Sequence, residues 1–339
     1  MVDLPSHRLS GFLLPRYLER CPVPRLSLIV PFQCDSQALE NTLVSVLELR
    51  SPDDELLIVH RGEYQDPYGL QGNEAKVLET PASSSLAEQL NIAVQNATGD
   101  VLQVVLPGAV LEPDWCVDAL AAFDELDVDM IALGVSGSGV SGSGASSLQY
   151  GFEADLIPQR RATGEASKIA GPLLAGTMIR RSAIQCLGGW NTKIPGDLID
   201  FELCLMAKLL GLQVGVVEGS SVTCDESRSM VLSHYELGRS IGQLACAFSE
   251  ISDSAIVIEP LVRRLGHLAS GLVSTKLAAE RLGWVLGVRD RSWSGVIGKR
   301  VESAKVAFAD RSREWERLRA IVPQPNFQGT HRDTARKAA

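Results

Sequence analysis

The chain has 339 residues, 45% of them hydrophobic and 22% charged, with a formal net charge of −9 at pH 7. This composition indicates a globular protein large enough for one α/β domain and an extension, and it excludes an intrinsically disordered chain. The charge is uneven, with a net −15 in residues 1–225 and a net +6 in residues 226–339. One interpretation is that the basic part contacts phosphates, an anionic membrane surface or an acidic partner. The other is that it is a solvated helical surface. No nucleic-acid partner is expected.

Cysteine usage and hydropathy indicate the compartment. The seven cysteines are scattered without a C-x-x-C pair, which favours reduced, mostly buried thiols over disulfides or a zinc site. The N-terminal residues lack the apolar core of a signal peptide, and no run approaches the roughly 18 apolar residues of a membrane-spanning helix. We therefore expect a cytoplasmic protein, either free or peripheral to the inner face of a membrane.

Apolar strands and amphipathic helices alternate along the first part of the chain. Continuous β-branched runs predict strands buried on both faces, and apolar residues at helical spacing predict the helices between them. The order strand, helix, strand, strand, helix, strand predicts a doubly wound, mainly parallel α/β sheet with helices on both faces. The predicted elements are strands at 26–31, 54–60, 75–78 and 101–106, and helices capped at Asp35 or Ser36 and spanning 84–97.

The stretch from Asn91 to Trp115 is the centre of this pattern. It reads as the end of a helix, an A-T-G-D turn, a buried strand, the loop Pro107-Gly108-Ala109 and a helix opening at Pro113. In an open α/β sheet, ligands bind at the carboxyl ends of the strands. The Pro107-Gly108-Ala109 loop is therefore expected at the mouth of a ligand site.

The remaining sequence predicts four parts: an arm at 1–24, a sheet domain at 25–225, a helical extension at 226–322 and a disordered tail at 323–339. The sheet domain continues with a helix at 114–123, strands at 130–133 and 213–217, and a Gly/Ser repeat that predicts a mobile loop rather than a phosphate cradle. Apolar stripes in the extension alternate with basic residues. The extension is expected to pack on the sheet domain or on a second copy in a homo-oligomer, or else to contact an anionic bilayer.

Several motifs resemble those of the family 2 glycosyltransferases, which carry the GT-A nucleotide-sugar-binding fold. N-x-A-x-x-x-A-T-G-D, an apolar strand and L-E-P-D-W resemble the centre of that family, and Leu39, Leu43 and Ser45 keep the spacing that follows its first strand. The resemblance covers about residues 25 to 225. It implies a GT-A type sheet with a C-terminal helical extension, a nucleotide-sugar donor, and a carbohydrate or lipid-linked acceptor.

Two carboxylate motifs of that family are absent on the donor side. The metal-binding Asp-X-Asp is replaced by Pro107-Gly108-Ala109, and the base-recognising Asp-Asp-Gly-Ser turn by His60-Arg61-Gly62-Glu63. Mg²⁺ or Mn²⁺ therefore has no obvious ligand beyond Cys224 and Asp225, and no cofactor is assigned. Basic side chains can replace a metal at a diphosphate, and the candidates are His60, Arg61, Arg180 and Arg181. The donor-side residues implied by the resemblance are Pro31, Gln33, His60, Arg61, Gly62, Asn91, Pro107, Gly108 and Ala109.

The acceptor side of the resemblance lies in residues 171–211. Gly188 and Gly189 are expected to turn the chain under the site, and Trp190 either stacks on a sugar ring or closes the core. I-D-F-E-L aligns with the family's Glu-Asp-x-Asp-Leu, which implies Asp200 as catalytic base and Glu202 as the next acidic position. Asp200 also has an ordinary alternative role, capping the first turn of a helix.

Two functions remain open at this point. The first is an inverting transferase that works without metal and uses Asp200 as base. The second is a catalytically inactive relative kept as a binding or assembly protein, which the missing carboxylates favour.

Overall fold

A computed structural model describes residues 26–32, 35–137, 148–153, 162–165, 169–224, 232–251 and 275–321. The arm at 1–24, Gln33, Asp225, the centre of the Gly/Ser repeat and the tail from residue 323 lie outside these ranges. The chain divides into two compact units. The first comprises Met1–Asp155, Arg161–Arg181 and Leu212–Met230, and the second comprises Leu156–Arg160, Ser182–Gly211 and Val231–Ala339.

The first unit is built on β-strands. Its helices are α1 (Ser36–Leu49), α2 (Leu86–Asn96) and α3 (Val117–Glu125). Its strands are β1 (Leu26–Pro31), β2 (Glu55–His60), β3 (Lys76–Glu79), β4 (Val101–Val104), β5 (Ala109–Leu111), β6 (Met130–Ser136), β7 (Gly151–Glu153), β8 (Ala162–Thr163), β9 (Ile169–Pro172), β10 (Thr177–Arg180) and β11 (Val214–Cys224).

The main sheet confirms the predicted fold class. Its strand order is β3-β2-β1-β4-β10-β6-β11-β5, with parallel pairing from β3 to β4 and between β6 and β11. Strand β10 runs antiparallel between β4 and β6, and β5 runs antiparallel on β11. A separate small sheet has the order β8-β7-β9. Asp35 is the N-cap of α1, where its side chain accepts from Gln37 N and Ala38 N.

Three predicted boundaries were wrong. Helix α3 begins at Val117 rather than at Asp114, because Asp114 has a φ of 59° and cannot belong to a right-handed helix. Residues 109–111, predicted as loop and helix lead-in, form β5, which is too short to show a period. Strand β11 runs on to Cys224, after a register shift between Val217 and Ser221.

A buried carboxylate holds the beginnings of the central strands together. Glu55, 5% exposed, accepts hydrogen bonds from Ser27 Oγ (2.6 Å) and from the Thr98 backbone N–H (2.7 Å). Lys76 of β3 donates to its other oxygen. Ser27 Oγ in turn accepts from Gly99 N at 2.9 Å. One side chain of β2 thereby binds β1, β3 and the A-T-G-D turn that leads into β4.

This network makes stability pH-dependent. Burial alone would raise the pKa of Glu55, but Lys76, Ser27 and the Thr98 N–H together lower it from 4.5 to about 2. Because the pKa is lower in the folded chain, the stabilisation is complete above about pH 4.5 and is lost as the pH falls towards 2. We expect about 2–3 kcal/mol of unfolding free energy to disappear over that window. Urea titrations at several pH values would measure the unfolding free energy of the wild type and of Glu55→Gln. The same pH dependence in both proteins would contradict this role of Glu55.

The second unit is helical in its described part. Its elements are α4 (Arg181–Cys186, starting at the last residue of the first unit), α5 (Ile199–Leu210), α6 (His234–Ile251), α7 (Thr275–Gly287) and α8 (Ser294–Ile321). Helices α6 and α7 touch backbone to backbone through glycines. A Cβ on Gly283 would lie 2.0 Å from the Tyr235 carbonyl oxygen, and one on Gly238 would lie 1.9 Å from that of Glu280. No side chain fits at either position.

Substitution at this contact should separate the helices. Gly283→Ala is expected to destabilise the unit by about 2 kcal/mol or more, because backbone rather than a flexible side chain must move. Gly298→Ala in α8 is the matched control: its Cβ meets nothing within 4 Å, and alanine should stabilise that helix by about 0.5–1 kcal/mol. Urea unfolding followed by helical circular dichroism measures both, and equal midpoints would refute the packing.

Candidate functional site

The predicted donor-side positions gather at one edge of the main sheet. Because β1, β2 and β4 run parallel, Pro31, His60 and the Pro107-Gly108-Ala109 loop all follow or end strands at the same carboxyl edge. Asn91 lies in α2 and is half-buried. These positions therefore share one edge of the sheet, and several of the side chains there form hydrogen bonds within the protein.

The turn after β2 is stabilised by its own side chains. His60 is 6% exposed, its Nδ1 accepts from the Gly62 N–H at 3.0 Å, and its ring meets Tyr64 edge-on at 5.8 Å. Arg61 Nε lies 3.4 Å from Glu63 Oε1, and the Arg61 N–H donates to the other Glu63 oxygen at 2.9 Å. Gly62 has a φ of 98°. The turn therefore carries a cation that Glu63 partly neutralises.

The loop that replaces Asp-X-Asp is packed against α1. Ala109 is fully buried and Pro107 is buried, while Gly108 has a φ of 87°. Thr42 Oγ1 accepts from Gly108 N at 2.9 Å and donates to the Ala109 carbonyl at 2.8 Å. The loop thus uses its backbone to hold α1, with no polar side chain of its own.

The residues present do not fit the cation that the resembling family holds here. Neither Pro107, Gly108 nor Ala109 offers an oxygen side chain, and the loop backbone is bonded to Thr42. In the ranges that the structure describes, no group of three or more His, Cys, Asp or Glu is arranged to hold a metal ion. Cys224, one of the two fallback ligands, is buried in β11 and is 5% exposed.

Two of the four basic candidates are at the wrong edge. Strand β10 is antiparallel to β4, so Arg180 lies opposite Val101 at the amino end of β4. Its guanidinium donates to the carbonyls of Phe123 and Val128, and Arg181 donates to the Gly99 carbonyl at 2.8 Å. The expectation that Arg180 and Arg181 serve the donor diphosphate is therefore wrong. Both arginines bind backbone carbonyls at the opposite end of the sheet.

A cavity of about 760 Å³ also opens at the amino edge. Burial, with Asp54 nearby, raises the pKa of the Cys116 thiol there to about 12, so this cysteine is a neutral thiol rather than a nucleophile. The cavity is remote from the carboxyl-edge loops and is not the predicted donor site. It is lined by Leu49, Arg50, Ser51, Pro52, Asp53, Asp54, Asp114, Trp115, Cys116, Val117 and Leu120.

On the acceptor side, the second unit shows how the Gly-Gly-Trp turn is built. Gly188 and Gly189 have φ values of 74° and 79°, which only glycine adopts readily. Trp190 is 1% exposed. Of its two alternatives, the structure therefore has the core aromatic, because no ring face is open for stacking on a sugar.

The two acidic positions of α5 are both buried. Asp200 is 2% exposed and its Oδ1 accepts from the Phe201 N–H at 2.8 Å, so it does occupy a free donor of the first turn. Glu202 is fully buried, and its Oε1 accepts from Asn191 Nδ2 at 3.3 Å and lies 3.0 Å from Arg300 Nε of α8. Burial raises the pKa of Glu202, and Arg300 and Asn191 oppose that rise.

Sequence reasoning missed three side chains that shape these regions: Gln89, Thr42 and Arg300. Gln89 is fully buried and its Nε2 donates to the Phe32 carbonyl just after β1, at 3.1 Å. A polar residue on the apolar face of α2 was the available signal for it. Thr42 likewise sits on the apolar face of α1. Arg300 is 98 residues from Glu202, and no local pattern joins them.

Comparison with known proteins identifies the fold family. Residues 27–188 match the family model described as glycosyl transferase family 2. These residues, just under half of the chain, are thus similar to a family 2 glycosyltransferase domain. The fragment 1–349 of TarS from S. aureus matches with a TM-score of 0.55 at 14% identity, covering 86% of this chain and 92% of that chain.

Two further solved structures share the fold of this chain. The mannosyltransferase PcManGT from Pyrobaculum calidifontis, in complex with GDP-Man and Mn²⁺, matches with a TM-score of 0.51 at 15% identity over 84% of this chain and 86% of that chain. GalNAc-T7 with UDP, GalNAc and Mn²⁺ matches with a TM-score of 0.57 at 15% identity over 84% and 55%. At these identities the likeness shows the fold alone. No protein with a curated description matches the sequence.

Within the described ranges, no helix of this glycosyltransferase-fold chain is long and apolar enough to cross a membrane.

Because the Pro107-Gly108-Ala109 loop is packed, we expect a carboxylate introduced into it to lower the stability of the chain. Ala109→Asp is expected to cost about 2–5 kcal/mol of unfolding free energy, because it buries an unpaired charge. Val110→Asp, at a neighbouring side chain that is 38% exposed, should cost about 1 kcal/mol or less. Thermal melts with and without Mn²⁺ test this. A melting temperature of Ala109→Asp that Mn²⁺ raises would show that the loop can still open into a metal site.

Proposed function

We propose that this chain is a glycosyltransferase that moves a sugar from a nucleotide-sugar donor to a hydroxyl of a carbohydrate or lipid-linked acceptor. The observation that carries the proposal is the match of residues 27–188 to the family 2 model. Asp200, in the first turn of α5 beyond the matched residues, is the base that the sequence resemblance implies. TarS 1–349 in complex with UDP-GlcNAc matches with a TM-score of 0.53 at 15% identity, which makes a nucleotide sugar the first donor class to test.

The proposed reaction is an inverting displacement. The acceptor hydroxyl oxygen forms a bond to the anomeric carbon, the bond from that carbon to the diphosphate breaks, and the Asp200 carboxylate takes the hydroxyl proton. The nucleoside diphosphate leaves with the bonding electron pair.

The leaving diphosphate needs positive charge, and we propose that the turn after β2 supplies it without a metal. Of the two remaining basic candidates at the carboxyl edge, His60 and Arg61, only Arg61 carries the charge in this structure, since His60 Nδ1 accepts a hydrogen bond from Gly62 N. Arg180 and Arg181 bind carbonyls at the opposite edge. Arg61 Nε lies 3.4 Å from Oε1 of the neighbouring exposed Glu63, an ion pair of a kind that is weak in water. A diphosphate can compete for that guanidinium.

A lipid-linked acceptor would bring the second unit close to an anionic bilayer. Leu282 and Leu286 of α7 are 51% and 43% exposed, and residues 226–339 carry a net charge of +6. Both features support a peripheral membrane contact, which we place within the same proposal. Flotation with anionic vesicles would detect it.

The second candidate function is a catalytically inactive binding or assembly protein. The Pro107-Gly108-Ala109 loop favours it, because that loop has exchanged ligand-facing carboxylates for packing on Thr42. In that case a protein partner or a second copy, rather than a nucleotide sugar, should stabilise the chain.

Thermal shift distinguishes the two functions. Melting would be recorded with UDP-, GDP-, CMP- and dTDP-sugars, each with Mn²⁺ or with EDTA. The transferase proposal expects a rise of several degrees with one nucleotide that persists in EDTA. A rise confined to Mn²⁺ would contradict the metal-free donor site, and no rise with any of the sugars would favour the inactive protein.

Asp200→Asn tests the base. With the nucleotide sugar that binds, transfer to acceptor should fall by at least about 100-fold, because the amide cannot accept the proton. The melting temperature should change little, since the amide oxygen still accepts from Phe201 N–H. Asp124→Asn, at an exposed position in α3, is the matched control. Unchanged transfer by Asp200→Asn would remove the assignment.

A further inference from the structure

One side chain of the C-terminal helix is buried in the acceptor-side segment. In α8 the buried apolar face consists of Ile297, Val301 and Ala304. Arg300 lies beside Val301 in that face, and its side chain is only 12% exposed. An arginine in a buried helix face needs partners that replace its hydration.

Among the described residues, the partners of Arg300 belong to the segment Gly188–Glu202. Its Nε lies 3.0 Å from Glu202 Oε1, and its guanidinium donates to the Gly189 carbonyl. The same carboxylate oxygen accepts from Asn191 Nδ2. Arg300 therefore contacts the Gly-Gly-Trp turn and the first turn of α5 at once.

Removing this arginine would leave a buried charge. Glu202 is fully buried, and its second oxygen has no hydrogen-bond partner among the described residues. Its negative charge thus depends on Arg300 and on one amide hydrogen bond. Two apolar side chains of the same volume could fill this space at a smaller desolvation cost. The pair is therefore better explained by what it orients than by the stability it adds.

Asp200 is what the pair would orient. It lies two residues before Glu202, on the same first turn of α5, so any rotation of that turn moves both carboxylates. A displacement of about 1 Å at a reacting group costs on the order of 100-fold in rate. A second hydrogen bond holds the residues just before α5, because the Asp197 side chain accepts from Leu232 N at 3.1 Å.

We propose that Arg300 is a positioning residue: its ion pair with Glu202 and its bond to Gly189 fix the first turn of α5, and with it Asp200, against the Gly-Gly-Trp turn. The inference rests on the proposed function for the role of Asp200. It makes the C-terminal helix part of the acceptor side, rather than an appendage to a complete domain.

Hydrogen exchange on the full chain tests the clamp independently of activity. In Arg300→Met, backbone amides of residues 188–203 should exchange at least about tenfold faster, and Arg300→Lys should be intermediate. Lys299→Met removes the same charge from an exposed neighbour on the same helix and should leave this segment unchanged. Equal exchange in Arg300→Met and wild type would overturn the clamp. Global unfolding of Arg300→Met would appear as faster exchange throughout α6 and α7, and Arg300→Lys would then decide the test.

Kinetics tests the positioning role. Arg300→Met should lower kcat about 10–100-fold with the donor KM nearly unchanged, and Arg300→Lys should recover part of the loss. Adding Glu202→Gln to Arg300→Met should cost little more, because both act through one contact. If Arg300→Met speeds exchange in residues 188–203 but leaves kcat unchanged, Arg300 has no positioning role in catalysis. Absence of transfer by the wild type would overturn the proposed function itself, and the exchange result would still decide whether Arg300 holds the segment.

Discussion

The buried hydrogen bonds around Glu55 are the constraint on which the donor edge depends. They join β1, β3 and the turn into β4 to the first residue of β2. In a parallel sheet, a register fixed at one end also fixes the other. Ser27 pairs with Glu55 and Leu26 with Val101, and as a consequence Pro31 pairs with Val59 and Ile29 with Val104 near the carboxyl ends of the strands. The carboxyl edge is therefore preorganised by polar contacts located at the opposite edge of the sheet.

The chain departs from the family's carboxylate pattern in different ways on the donor side and on the acceptor side of the proposed reaction. On the donor side, the carboxylates of the family pattern are gone, and Thr42, Gln89 and His60 use their polar atoms to hold backbone. On the acceptor side the carboxylates Asp200 and Glu202 are kept but are buried, one bonded to the start of its own helix and one to Arg300. In the proposed transferase, the donor site would rely on basic groups and the acceptor side on a helix from the C-terminal extension.

Much of the fold could be predicted from the sequence, because buried parallel strands and amphipathic helices leave a periodic signal. The strand Leu26–Pro31, the cap at Asp35 and helix α2 follow from such local patterns. The parts that could not be predicted depend on distant partners or on unusual backbone. Asp114 delays a helix through a positive φ, and β5 exists only because β11 pairs with it. Arg180 was misplaced because strand direction, not spacing, decides at which edge a residue lies.

The central claim is that the carboxyl edge, although it lacks Asp-X-Asp, still binds a nucleotide sugar. Hydrogen exchange of the full chain in EDTA, with and without the nucleotide sugars, tests this most directly because it reports position as well as binding. We predict that one nucleotide slows exchange in residues 60–64 and 105–109, at the ends of β2 and β4. Slowed exchange only in residues 49–54 and 114–120, around the amino-edge cavity, would contradict the account, as would no change with any donor.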